Sequence, residues 1–190
     1  MRDMNYKDRN IKVIGDLHLG HVNILKFMTG EGGTGKRLRE FDSIQDHDDY
    51  ICDRWNDEVE DTDIVYVLGD VGFRDFSALR RLKGRKRLIL GNHDNPLHPL
   101  IVECFGKKQG VWRMFPEYST VLTHVPLWLP SDEDVEAKKA IVGYHKYTTN
   151  IHGHTHDHAG PTDRHFCVSC ERINYTPVNI QDVLGVDKIM

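Results

Sequence analysis

Three short apolar runs along the chain share one form. IKVIGD (residues 11–16), DIVYVLGD (63–70) and RLILGNHD (87–94) are each rich in β-branched or large apolar residues, and each closes on glycine followed by a polar residue. Such runs read as strands buried on both faces. STVLTHVP (119–126) is a fourth of the kind and NIHGH (150–154) a shorter fifth. Between them lie segments of helical period. In SIQDHDDYICDRWNDEV (43–59), Ile44, Tyr50, Ile51, Trp55 and Val59 fall near one face, with Ser43 as N-cap. DFSALRRLKG (75–84) predicts a short amphipathic helix stopped by Gly84, and PVNIQDVLGV (177–186) one or two helical turns. Strand–helix alternation in the first half argues an α/β chain. The second half is richer in strands and turns, including HFCVSCERI (165–173). No composition break separates the halves, so residues 1–190 read as one domain.

The polar residues gather at the strand ends. Asp16 and His18, Asp70, Asn92 to Asp94, His124, and His154 with His156 each follow the C-terminal end of a different predicted strand, where α/β folds place their sites. Twelve histidines stand out in a chain of 190 residues. Imidazole is both a metal ligand and an acid–base group near neutral pH. Asp16, His18, Asp70, Asn92, His124, His154 and His156 offer nitrogen and oxygen only, a set suited to Mn, Fe, Zn, Ni or Co rather than to a thiolate site. Seven ligands exceed the needs of one tetrahedral ion. Two divalent ions sharing one carboxylate fit the count, and a pair of ions roughly 3.5–4 Å apart is a device for phosphoryl hydrolysis. Asp16 and Asp70 cancel part of the ions' charge; the remainder attracts phosphate, and a neutral Asn92 preserves it.

The ordered motifs GDLH (15–18), GD (69–70), GNHD (91–94), TH (123–124) and GHTH (153–156) resemble those of the calcineurin-like metallophosphoesterases. They occur in that family's order and span most of the chain. GDLHLGHVNIL, WNDEV, DIVYVLGD and VSCERINYTPVNIQDV extend the resemblance toward a compact bacterial and phage branch. The resemblance implies a four-layer αββα fold, two mixed sheets flanked by helices. It implies one metal held by Asp16, His18, Asp70 and His156 and a second held by Asp70, Asn92, His124 and His154, with Asp70 bridging. His93 then stands beside the metals to protonate the leaving oxygen or stabilise charge on phosphate, and Asp94 orients His93. The reaction implied is in-line attack of metal-bound hydroxide on phosphorus, with no covalent enzyme intermediate. A phosphodiester of nucleotide or cyclic-nucleotide type is the expected substrate, given how little room 190 residues leave for a specificity domain. The alternatives are a metal-dependent nuclease and an inactive binding scaffold, which would be expected to have lost ligands that are all present here.

Other features change the picture less. His21 and Arg74 follow the first two motifs and are candidates for substrate contact. His152 and His158 flank GHTH and read as a strand residue and a loop residue without metal. GEGGTGKR (30–37) has part of a phosphate-loop pattern, but a helical segment precedes it and Arg37 replaces the hydroxyl, so it reads as a glycine-rich loop. CVSC (167–170) has no second pair, and its cysteines read as core. RRLKGRKR (80–87) reads as a solvated helix end rather than a nucleic-acid grip, in keeping with a net charge of -4. The polar N-terminus shows no signal-peptide pattern, no apolar run is long enough to span a membrane, and four cysteines do not suggest a disulfide framework; a cytoplasmic setting is expected.

Overall fold

The computed structural model describes residues 10–30, 33–129 and 147–185. Two mixed sheets form the frame. The first has the order β4-β3-β2-β1-β9, with β1 (Ile11–Ile14), β2 (Ile64–Leu68), β3 (Arg85–Ile89) and β4 (Lys107–Lys108) parallel and β9 (Val178–Asn179) antiparallel to β1. The second has the order β5-β6-β7-β8: β5 (Trp112–Phe115) is antiparallel to β6 (Thr120–Thr123), while β7 (Thr149–His152) and β8 (His165–Cys167) continue parallel.

Strand alternation explains how the layers close. Ile11, Val13, Ile64, Tyr66, Leu68 and Ile89 of the first sheet pack against Phe115, Leu122 and Ile151 of the second. The residues between them, Ile14, Val65, Val67 and Leu88, face the other way onto helices. Both faces are covered, which is why β1 and β2 read as unbroken apolar runs. The helical layer on the first sheet comprises α1 (Ile44–Glu58), a 3-10 turn at Ser77–Arg81 and α2 (Pro99–Cys104). Ile51, Cys52 and Trp55 of α1 are buried there. Ser43 caps α1 as its sequence predicts, accepting from the Asp46 N–H at 3.1 Å. α3 (Ile180–Leu184) ends the described chain. The fold is thus an α/β sandwich whose described residues supply three layers, helices, sheet and sheet, of the four expected.

The structure corrects the reading locally. DFSALRRLKG forms only the 3-10 turn, which gives way at Leu82, before Gly84. Residues 22–26 are likewise a 3-10 turn. β4, β5 and α2 are too short or too exposed to announce themselves by period. In the glycine-rich loop, Glu31 and Gly32 lie outside the described residues. Its flanks are joined by an antiparallel bridge between Met28 and Arg37 and by the Thr29 N–H donating to Lys36 O at 2.8 Å.

Candidate metal centre

β1, β2 and β3 run parallel, so their C-terminal loops emerge at one end of the first sheet; β6 and β7 do the same in the second. The two ends meet edge to edge. Gly15, just after β1, donates its N–H to Val168 O at 2.8 Å and accepts from the Cys170 N–H at 3.1 Å, just after β8, and the His154 N–H donates to Asp16 Oδ2 at 2.8 Å. The first and second loops are joined by backbone bonds from the His18 N–H to Asp70 O at 2.9 Å and from the Leu19 N–H to Val71 O at 3.0 Å. Two glycines allow this crowding. A Cβ on Gly69, whose φ is +78, would stand 2.5 Å from His124 Nδ1, and one on Gly153 would stand 2.4 Å from Asp16 Oδ2.

The backbone itself marks the site. Asp16, His18, Asp70, His154 and His156 all adopt positive φ, at 57, 52, 51, 67 and 52°. Non-glycine residues in the left-handed region cost on the order of 1–3 kcal/mol each and cluster where surroundings over-determine them. Arg74 shares this conformation at φ 61°.

All seven residues predicted as ligands come together. Ligand-competent atoms of Asp16, His18 and His156 lie within 4.8 Å of one another, as do those of Asp16, Asp70 and His124. His18 Nε2 is 3.8 Å from Asp70 Oδ2, and His124 Nε2 is 3.6 Å from Asp70 Oδ1, so Asp70 stands between two groups. Asn92 Oδ1 and His154 Nδ1 complete the second, at 2.8 and 3.1 Å from His124 Nε2.

These atoms suit a cation. Leu68 O can only accept, so the His124 Nδ1–H donates to it at 2.8 Å and the Nε2 lone pair faces the site. That lone pair, the Asn92 carbonyl oxygen and an Asp70 carboxylate oxygen converge with His154 Nδ1. On the other side, Asp16 Oδ2 accepts from the Ser169 hydroxyl at 2.7 Å and from the His154 amide, while Asp16 Oδ1 and His18 Nε2 are buried without hydrogen-bond partners. Converging, unpartnered lone pairs are costly unless a positive ion lies among them. Burial, and then the Arg39 charge, push the His18 ring well below its ordinary range; burial and the neighbouring His124 lower His154. Burial alone would lower His156, but the Glu171 carboxylate outweighs it and raises the ring. The orphaned nitrogens and carboxylate oxygens fit hard-to-borderline divalent ions.

The remaining candidates divide. His93 is exposed at the mouth, its N–H donating to Asp70 Oδ1 at 3.2 Å and its ring centroid 5.1 Å from that of Phe73. His21 stacks on Phe73 at 4.0 Å and its Nδ1 lies 3.1 Å from His18 Nδ1; Arg74 is exposed on the second loop. Asp94 corrects its expected role. Rather than orienting His93 through its side chain, it accepts from the N–H groups of Gly91 at 2.8 Å, Asp70 at 3.0 Å and Val71 at 2.9 Å, fastening the second and third loops together. His152 ends β7, buried, with its Nδ1–H donating to Gly153 O at 2.8 Å, and His158 is an exposed loop residue. All four cysteines are free, Cys170 buried and Cys167 partly so. In the basic run, Arg80 pairs with Glu103, Arg81 with Asp49, and buried Lys86 donates to Leu82 O.

Sequence reasoning misses the buried polar groups behind the loops. Arg39 is fully buried and donates to Glu171 Oε1 at 2.7 Å, Leu17 O at 2.9 Å and Asp16 O at 2.5 Å. Glu171 Oε1 also accepts from His156 Nδ1 at 3.0 Å. Burial would raise the Glu171 carboxyl, but Arg39 and His156 reverse this and hold it at about 2. No spacing rule joins Arg39 to a residue so far along the chain; the only hint was VSCERI inside the extended resemblance.

Among the described residues, no helix is long and apolar enough to cross a membrane. No family model matches the sequence. In fold, the chain is similar to a protein of unknown function, AQ665, from Aquifex aeolicus, with a TM-score of 0.63 over 96% of this chain and 100% of that one, at 23% identity. The Gene 66 proteins of mycobacteriophages D29 and L5 are 31% and 32% identical over 126 and 125 residues, which cover 62% and 60% of this chain. The match spans only 57% and 53% of those phage proteins. An uncharacterized protein of Methanocaldococcus jannaschii, MJ1445, is 30% identical over 190 aligned positions, covering 90% of this chain and 88% of that protein. By that likeness across nearly the whole of both chains, this protein belongs to one family with the archaeal MJ1445.

Proposed function

We propose that this protein is a metal-dependent phosphoesterase of the calcineurin-like type, working with two divalent ions drawn from Mn, Fe, Ni or Zn on small phosphodiesters of nucleotide or cyclic-nucleotide kind. The observation that carries the reading is the convergence of unpartnered imidazole and carboxylate lone pairs on strained, positive-φ loops at the joined ends of two sheets. Asp16, His18, Asp70 and His156 would hold one ion, and Asp70, Asn92, His124 and His154 the other. When bound, two such ions polarise phosphoryl oxygens and make a coordinated water acidic.

The chain's own residues do the rest. Asp70, between the two groups, holds them at a common distance. Leu68 O and Glu171 fix the tautomers of His124 and His156, so that Nε2 of each ring is the atom presented. His93, exposed beside Asp70, delivers a proton to the leaving oxygen. His21 and Arg74 at the mouth engage phosphate oxygens. In the basic run of residues 80–87, Arg80 and Arg81 are paired with acids and Lys86 is buried, which weakens the case for a nuclease. The free cysteines suit a cytoplasmic setting.

The test is metal analysis of the purified protein and hydrolysis of bis-p-nitrophenyl phosphate with Mn²⁺, Ni²⁺ or Zn²⁺. Activity should require metal, vanish in Asp70→Asn and fall in His93→Ala. Absence of metal-dependent hydrolysis of every phosphomonoester and phosphodiester tried would end the proposal. Cyclic nucleotides, dinucleotides and single-stranded DNA then sort the substrates.

A further inference from the structure

Arg39 and Glu171 form an ion pair whose side chains are 0% and 6% exposed. A buried pair of charges is a weak device for stability, since an apolar pair of similar volume often serves as well. Its bonds here point in one direction. The guanidinium donates to the carbonyls of Asp16 and Leu17, those of the two successive peptides that lead into the left-handed His18. The carboxylate oxygen that receives Arg39 also receives the His156 ring. A second arm closes round the same turn: Arg39 Nη1 lies 2.8 Å from His47 Nε2, His47 Nδ1 2.8 Å from Asp48 Oδ1, and Asp48 Oδ2 accepts from the Gly20 N–H at 2.9 Å. The bonds around the His124 ring, by contrast, run to Leu68 O, Asn92 and His154, and this half meets the pair only indirectly, through the His154 N–H on Asp16 Oδ2.

We infer that Arg39 and Glu171 are a positioning pair that bears chiefly on one half of the metal centre, holding the strained Asp16–His18 turn and the His156 ring in the arrangement that receives one ion and reaching the His124–His154 half only through Asp16. The inference rests on the two-metal reading. It requires a one-sided effect. Removing a group that orients a ligand costs about 10–100-fold in metal affinity, and here that loss should fall on a single ion.

Calorimetric titration of the metal-free protein with Mn²⁺ tests this. His156→Ala and His154→Ala first identify which binding step belongs to which half. Glu171→Gln should weaken the His156 step by about 10–100-fold and leave the His154 step nearly unchanged. Arg39→Lys, which keeps the charge but not the fork, should weaken the same step. Glu171→Gln leaves Arg39 buried without a counter-charge and can unfold the chain. The charge-balanced Arg39→Met/Glu171→Gln variant therefore accompanies it, with circular dichroism to establish its fold. Equal weakening of both steps, or of neither, in a folded variant overturns the inference while the two-metal reading stands. Failure of the wild type to bind Mn²⁺ would remove that reading, and the positioning pair with it.

Discussion

Asp94 separates two accounts of the GNHD motif. If it serves only to orient His93, its replacement should slow turnover and leave the fold alone. Its carboxylate instead accepts from three backbone N–H groups of two loops, at 2.8, 2.9 and 3.0 Å. Hydrogen bonds to a charged acceptor contribute about 1.5–3 kcal/mol each, and buried donors left unpaired carry a comparable penalty. The three share one carboxyl and are partly reachable by water, so their losses do not add fully. Asp94→Ala should then cost about 3–5 kcal/mol, a large part of the roughly 5–15 kcal/mol that stabilises a typical domain. Asp94→Asn keeps one oxygen. If it faces Asp70 and Gly91, which share Oδ2 in the wild type, only the Val71 bond is lost, at about 1–2 kcal/mol. Urea unfolding in EDTA, with the m-value checked for constancy, reads both numbers free of metal. An alanine variant within about 1 kcal/mol of wild type, yet slow in turnover, would show that the clamp is not what Asp94 contributes.

Four further outcomes follow from the same geometry. Gly153→Ala would drive a methyl against Asp16 Oδ2, 2.4 Å away in ideal geometry; calorimetry should show about tenfold or greater loss of Mn²⁺ affinity, and unchanged binding would mean that the loop yields freely. His158→Ala removes an exposed ring and should leave Mn²⁺ binding and melting temperature as they are, whereas a lost equivalent of metal would place His158 in the site. Glu171 is held at about 2 against an ordinary value of 4.5, so its contribution is present above about pH 4.5 and lost as the pH falls toward 2, on the order of 3 kcal/mol. Metal-free wild type should therefore lose stability more steeply than the charge-balanced Arg39→Met/Glu171→Gln variant between pH 6 and 3, and parallel urea midpoints would contradict the assignment. Under the two-metal proposal, Mn²⁺ at about a hundred times its Kd should add about 2.7 kcal/mol, a rise of roughly 5–10 °C in Tm for a chain of this length; a melting curve indifferent to EDTA would count against it.

The strands that carry the candidate site were legible because burial on both faces leaves an unmistakable run, and because each run stops where a candidate ligand begins. GD after IVYVL and TH after TVL are uninformative alone; their recurrence at the ends of parallel strands makes them a set. The short elements were not legible. A six-residue α2 offers fewer than two turns of period, and β4 has two residues, both exposed. The role of Asp94 was misread because its neighbour in sequence is His93, while its bonding partners include the amides of Asp70 and Val71 in another loop. Arg39 was invisible for a related reason. A lone arginine in a polar stretch reads as surface, and only the fold brings it against Asp16, Leu17 and Glu171.

The strain and the buried charges belong to one account. Five of the seven ligand candidates sit in the left-handed region, and at about 1–3 kcal/mol each their combined cost rivals the net stability of a domain. Nothing in an apolar core could hold a backbone there, because dispersion has no direction. Directed bonds can. Asp94 takes the amides at Asp70 and Val71, Asp48 takes the amide of Gly20, Arg39 takes the carbonyls of Asp16 and Leu17, and Asp16 itself takes the amide of His154. Each is a full charge meeting a backbone dipole in a poorly solvated place, where such bonds are strongest. The left-handed turns aim five side chains inward that regular strand ends would have splayed apart. The charged groups are therefore the means by which two sheets, each ordinary in itself, present seven candidate ligand atoms to one small volume.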